Sequence, residues 1–202
     1  YNNTATVNGD GAGGTPVTDD SYDGLDNDPD GNGDPTDNTL ATPVSFVENP
    51  QLGVAKELTS SVDNMDGTYT VAYDIKVKNI GNVFMKDIHI VDDVSQTFAN
   101  AASFMVTGIS STHFNENTGY DGSTDIELLI DTPDLAVGDS GIVSITVVVD
   151  PGDYISPFYN KASAYGTTPE GSFILDNSTD VTDVDPDEDG DTGNNPTQTP
   201  VQ

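Results

Sequence analysis

Between Asp26 and Asp37 the chain reads DNDPDGNGDPTD, a loop in which nearly every second side chain ends in a carboxylate or an amide. Numbered from Asp26, the ligand positions one, three, five, seven, nine and twelve of a calcium loop hold Asp26, Asp28, Asp30, Asn32, Asp34 and Asp37. Gly31 falls at the turning sixth position. Oxygen donors at this alternation suit Ca²⁺, whereas Mg²⁺ dehydrates too reluctantly to favour an all-protein cage. Two departures are Pro29 within the loop and an Asp, shorter than the usual Glu, at the twelfth position. No helical pattern flanks the loop, so the expected site is a free-standing calcium loop and not half of a paired EF-hand. A second stretch keeps the alternation in Asp183, Asp185, Asp187, Asp189 and Asp191, but Glu188 replaces the turning glycine and leaves the register open. The competing reading is a solvated acidic linker in a salt-adapted protein.

Three residues far apart in the chain carry a second chemistry. Lys56 falls on the strand face of Leu52, Val54 and Leu58, where an uncompensated ammonium is costly to bury. Asn160 shares a face with Phe158, Ala162 and Ala164, and Asp92 follows Ile88 and Ile90 on an inward face. The order Lys, Asp, Asn is similar to that of the self-crosslinking domains of collagen-binding surface adhesins. That resemblance implies an isopeptide bond between Lys56 and Asn160, made by attack of the amine on the amide carbonyl and promoted by a protonated Asp92. Burial favours such chemistry by lowering a Lys pKa and raising an Asp pKa. The plainer alternative is a Lys56 to Asp92 salt bridge or a snorkelling Lys56, with Asn160 bonded to backbone.

These groups need elements to place them, and the sequence supplies strands. In TYTVAYDIKVKN, Tyr69, Val71, Tyr73, Ile75 and Val77 share one face while Thr70, Ala72, Asp74, Lys76 and Lys78 share the other. Further strands are expected at Leu52 to Leu58, Phe84 to Val91, Ser103 to Thr107, Asp125 to Ile130, Ile142 to Asp150 and Phe158 to Tyr165, with an edge strand at Thr42 to Glu48. Short strands at this spacing, with no amphipathic helix, predict an all-β immunoglobulin-like β-sandwich of about seven strands. Its core is expected to hold Val71, Tyr73, Ile75, Val77, Ile88, Ile90, Val143, Ile145, Val147 and Val149.

The 202 residues carry 35 Asp and Glu against 5 Lys and Arg, a formal charge of −30, so cations are the natural partner. Nucleic acid is excluded as a partner by the want of basic clusters, and no apolar run long enough for membrane insertion is present. All five cations are lysines between Lys56 and Lys161, while 17 acidic residues fall in Asp10 to Asp37 and Asp176 to Asp191. Without cysteine there is no disulfide framework.

The two acidic flanks align. DDSYDGLDNDPDGNGDPTDNTLATPV from Asp19 lies on DNSTDVTDVDPDEDGDTGNNPTQTPV from Asp176, an offset of 157 (176 − 19), and YNNTATV at Tyr1 matches YNKASAY at Tyr159 with one residue of slippage. The reading that follows is one repeat plus the tail of a preceding one. Residues 1–18 hold the last strand of a preceding repeat or a donor strand, and 19–43 a calcium-binding linker. Residues 44–166 form the sandwich, and 167–202 a second linker into the next repeat.

LGVAKEL, GTYTVAYDIKVKNIGNVFMKDIHIVDDV, SGIVSITVVV and YNKASAYG together resemble domain of unknown function family eleven, the repeated sandwich domain of large prokaryotic surface proteins. The resemblance spans roughly Val44 to Gly166 and includes Val54-x-Lys56, Lys78-Asn79-x-Gly81 and Asn160-x-Ala162. The acid-rich linker with Thr-Pro-Val resembles tandem versions in giant surface proteins of the Bacteroidota type. It implies an extracellular, cell-surface, non-catalytic building block whose partners are neighbouring copies, head to tail, with a host or neighbour-cell surface as an adhesive target.

His89 and His113 have no second His nearby in sequence, no nucleophile-elbow motif is present, and no Gly-rich phosphate loop opens a helix. An enzyme is not expected. With zero Trp, Tyr120 in NTGYDGSTD is the one loop aromatic that looks exposed, and a plain turn is the better reading there than a glycan platform. The expected role is therefore a filament or adhesin-stalk repeat whose linkers calcium stiffens. Its alternatives are a glycan- or protein-binding module, or subunits polymerising by N-terminal strand donation.

Overall fold

The computed structural model describes residues 1–155, 157–194 and 197–201, and the chain divides into two units, Tyr1–Val47 and Glu48–Gln202. Each follows from alternation and turn chemistry.

In the first unit, β1 (Asn2–Asn3) pairs antiparallel with β4 (Thr42–Pro43), and β2 (Thr6–Asp10) with β3 (Pro16–Asp20). The β2–β3 turn closes through Gly11 N donating to Thr15 O at 2.8 Å, with Gly14 at φ 73°, a conformation a side chain would resist. Almost every residue of this unit is exposed, including Tyr1, Val7 and Phe46.

The second unit contains β5 (Leu52–Asp63), β6 (Tyr69–Asn79), β7 (Lys86–Asp92), the one-turn helix α1 (Val94–Thr97), β8 (Ser103–Ser111), β9 (Ser140–Asp150), β10 (Phe158–Asn160), β11 (Ala162–Thr167), β12 (Phe173–Asn177), β13 (Thr179–Asp180) and β14 (Thr199–Val201). One sheet runs β13-β5-β6-β9-β8, a second β12-β11-β7, and β10 pairs with β14. All pairings are antiparallel except β13 on β5. The unit is thus an all-β structure of several sheets around one core. Both larger sheets contribute to that core, with Val54, Tyr73, Ile75 and Ile145 from the first and Ile88, Ile90 and Ala164 from the second. The ten expected core residues are all at most 3 % exposed. Burying each such aliphatic or aromatic side chain contributes roughly 1.5–3 kcal/mol, so the alternation in β6 alone gives this strand its inward face.

Several expectations are corrected. Residues 125–130 form no continuous strand, because their hydrogen bonds alternate between two neighbours: Leu128 N reaches Ile90 O at 2.8 Å, while Ile130 N reaches Asn115 O at 3.1 Å. Only Thr42–Pro43 of the 42–48 edge strand pairs, and it does so within the first unit. The boundary between 18 and 19 falls inside β3. Ordered sheet continues past residue 166, since β12 pairs with β11 and β13 with β5.

Every pairing of the first unit recurs in the second 157 residues further on. Asn3 opposite Thr42 matches Asn160 opposite Thr199, and Val7 opposite Asp19 matches Ala164 opposite Asp176. Ser21 N to Ala5 O at 2.7 Å matches Ser178 N to Ala162 O at 2.9 Å. The single offset extends to Tyr1, so the one-residue slippage read from the sequence is absent and Asn3, not Asn2, stands where Asn160 stands. The difference is context: β11 is flanked by β7 and packed over β5, whereas β2 has only β3 beside it within its unit.

Candidate functional site

Lys56, Asp92 and Asn160 meet inside the second unit, with Lys56 and Asn160 0 % exposed and Asp92 1 %. They arrive from three different pairings: Lys56 from β5 opposite Ile75, Asp92 from the end of β7 opposite Ala162, and Asn160 from β10 opposite Thr199. The Lys56 amine hydrogen-bonds Asp92 Oδ2 and lies over the Tyr73 ring, 4.5 Å from its centroid. Asn160 Nδ2 donates to the same Asp92 oxygen at 3.3 Å. Asn160 Oδ1 accepts from the Thr97 hydroxyl at 2.9 Å. Tyr120, buried to 4 % exposure, donates its hydroxyl to the Asp92 backbone carbonyl at 3.1 Å. This corrects the reading of Tyr120 as an exposed loop aromatic. Its ring is drawn into the core because its hydroxyl finds a partner there.

Burial acts against the charged form of both Lys56 and Asp92. Burial pulls the Lys56 amine below its ordinary pKa, against the opposing pull of Asp92. Burial likewise pushes the Asp92 carboxyl up, and Lys56 and Asn160 only partly offset it. Asp92 Oδ1 has no hydrogen-bond partner, and burial and then Asp92 make the Tyr73 hydroxyl harder to ionise, with Asn160 beside it acting the other way. One acid oxygen thus touches both the amine and the amide nitrogen, with burial acting against charge on the amine and on the acid.

The cation-loop residues assemble twice, with the same bonds. Gly33 N donates to Asp28 Oδ2 at 2.9 Å, and Gly190 N to Asp185 Oδ2 at 3.0 Å. Asp28 N donates to Asp26 Oδ1 and Asp185 N to Asp183 Oδ1, each at 3.2 Å. Asp34 N reaches Asn32 Oδ1 at 2.7 Å, as Asp191 N reaches Asp189 Oδ1 at 2.8 Å. Glu188 adopts φ 56°, matching Gly31 at 68°, which settles the register that the sequence left open. Asp28 Oδ1 and Asp185 Oδ1 are both buried without a hydrogen-bond partner. Ligand oxygens of Asp185, Asp187 and Asp189 lie within 4.8 Å of one another. The first copy has Asn32 where the second has Asp189. Asp30 Oδ2 and Asp37 Oδ2 both accept from Asn32 Nδ2, at 2.9 and 2.8 Å. Asp34 caps the turn Pro35–Asp37, and hydrogen bonds from Thr36 hold its carboxyl below the ordinary range.

The second loop is fastened to β5 by residues that sequence reading missed. Thr192 Oγ1 donates to Leu52 O at 2.6 Å, Thr199 Oγ1 to Lys56 O at 3.0 Å, and Val54 N to Asp176 Oδ2 at 2.7 Å. Val184 packs on Gly53, where an added Cβ would stand only 2.7 Å from the Val184 side chain. Buried threonines in an acidic, Asn-rich stretch carry no pattern that separates them from loop residues. Thr97, half-buried at the end of α1, carries no such pattern either. His89 stacks on Tyr165 with centroids 4.6 Å apart and faces Glu127 at 3.4 Å, an ordinary polar environment.

Among the described residues no helix is long and apolar enough to cross a membrane. No model of a known protein family matches the chain, and no curated protein does at significant similarity.

Proposed function

We propose that this chain is a structural repeat of an extracellular, cell-surface filament or adhesin stalk: an immunoglobulin-like sandwich, closed by a Lys56–Asn160 isopeptide bond and by a calcium-binding loop. The observation that carries the reading is the recurrence, at one offset of 157, of a whole substructure, from the Asn3/Asn160 position through the hairpin and the cation loop to the Thr-Pro-Val strand. A catalytic domain has no use for a second, exposed copy of its closing segment. A tandem array does, since each copy closes one body and leads into the next.

In this reading Ca²⁺ is held by Asp26, Asp28, Asp30, Asn32, Asp34 and Asp37 in one loop and by Asp183, Asp185, Asp187, Asp189 and Asp191 in the other. The unpartnered Asp28 and Asp185 oxygens support it, for a buried carboxylate oxygen with no donor is costly unless a cation takes it. Because the second loop is fastened to β5, bound calcium stiffens the joint by locking the closing segment onto its own body. Neighbouring copies, head to tail, are the partners. The exposure of β2 and β3 supports one second reading, in which separate subunits donate this segment into a neighbour's sheet.

Intact mass of the native assembly after denaturation separates the two. A long chain of many repeats supports the array, and a mass of one repeat overturns it in favour of strand donation.

A further inference from the structure

Closure of the proposed bond converts Lys56–NH₂ and Asn160–CONH₂ into one secondary amide and ammonia. The Nζ–Cγ bond forms, the Cγ–Nδ2 bond breaks, and one proton passes from Nζ to the leaving Nδ2 through the Asp92 carboxyl, which is regenerated. Asp92 Oδ2 touches both nitrogens, so the proton's path is in place. The electron pair of the carbonyl has to go somewhere as well. When the amine adds to Cγ, Asn160 Oδ1 becomes an oxyanion, and Asp92 does not lie on it.

The geometry points to Thr97 as the oxyanion donor of this crosslinking step, an inference that rests on the isopeptide reading above. Its hydroxyl already donates to Asn160 Oδ1 at 2.9 Å, so a donor lies on the very oxygen where the negative charge develops. The sequence delivers it by the shortest route. Asp93 accepts from Gln96 N and so caps α1 directly after Asp92, and the single turn carries Thr97 back over the acid's neighbour. Acid and oxyanion donor are thus five residues apart and held by one short helix. Thr97 also anchors Asn160 so that its Nδ2 faces Asp92 and its carbonyl faces away, which fixes the amide orientation that amine attack requires. On its outer side Thr97 lines an open cavity of about 520 Å³ with Asp93, Gln96, Tyr159 and Lys161.

The test takes the full chain made unfolded, as inclusion bodies dissolved in urea and checked at zero time to carry the full sequence mass, dilutes it to fold, quenches it in acid at intervals and reads the loss of one ammonia by intact mass. Thr97→Val keeps the shape and removes the donor, and Thr97→Ser keeps the donor. The expected result is closure slowed roughly ten- to a hundredfold in Thr97→Val, below the effect of a fully buried oxyanion donor, and near wild-type closure in Thr97→Ser. Circular dichroism checks folding, and Thr97→Ala replaces Thr97→Val if the latter does not fold. Closure of the hydroxyl-free variant at the wild-type rate overturns the role of Thr97 alone. A folded wild-type chain that keeps its full sequence mass overturns the isopeptide reading and this inference with it.

Discussion

Glu188 holds the left-handed backbone that Gly31 holds 157 residues earlier, at φ 56° against 68°. A side chain there costs about 1–2 kcal/mol, yet the surrounding bonds are the same in both loops. The loop geometry therefore comes from its carboxylates and glycines acting together, and Glu188 is carried along by them.

Glu188→Gly should raise the stability of the second loop by about 1 kcal/mol and its calcium affinity with it. Calcium titration followed by thermal melts checks this. An unchanged affinity would show that the left-handed position is not part of the cation site.

Chelation should lower the melting temperature and open residues 181–194 to proteases, while added Ca²⁺ reverses both. The coupling is ordinary linkage: an ion that binds only the folded loop stabilises it in proportion to occupancy, by about 2.7 kcal/mol at a hundred times Kd. Identical melts and cleavage patterns with and without chelator would remove calcium from the account.

Hydrogen exchange should separate the two hairpins despite their shared pairing. Amides of β2 and β3 are predicted to exchange fast, since their faces are exposed, and those of β11 and β12 slowly, since β7 and β5 cover them. Equal protection would mean that the first unit is held by something its own strands do not supply.

The body of this fold was legible because alternation is a two-residue signal: Val71, Tyr73, Ile75 and Val77 announce their inward face without reference to any partner. Lys56, Asp92 and Asn160 were legible for the same reason, as polar exceptions on inward faces. Thr97, Thr192 and Thr199 were not, since a threonine's role depends on which carbonyl lies opposite it, and Leu52 and Lys56 are distant in sequence from the threonines that bond them. The strand expected at 125–130 failed because its backbone bonds go to two different neighbours, and consecutive Leu128 and Leu129 are both buried while Ile130 is exposed.

Removing the amine should make stability fall with rising pH. In Lys56→Met, Asp92 stays buried but loses the ion pair that offsets burial, so its folded pKa, already raised, rises further above the unfolded value of 3.8. A group with a raised folded pKa stabilises the fold while protonated, and that contribution is lost as pH climbs from below the unfolded value toward the folded one. The slope approaches 1.4 kcal/mol per pH unit. Urea unfolding between pH 4 and neutrality measures it, and a flat profile would mean that water reaches Asp92.

The wild-type chain should be one ammonia lighter than its sequence, and digestion should give a branched Lys56–Asn160 peptide; Asp92→Ala and Asn160→Ala should restore the full mass. The expectation rests on geometry: both nitrogens share one oxygen of an acid whose pKa burial raises. The mechanical effect follows from the topology. Lys56 lies on β5 and Asn160 on β10, and every strand from β6 to β9 lies between them in the chain. A covalent tie shields that span from a pull on the ends. Under force the wild type should therefore lack the extension of residues 56–160, about 35 nm at ~3.4 Å per residue, that Asp92→Ala releases. By analogy with a disulfide closing a loop of similar length, the tie should add about 4–5 kcal/mol to thermal stability. A wild-type chain of full mass, extending to the same length as Asp92→Ala, would leave Lys56 and Asp92 as a buried ion pair and nothing more.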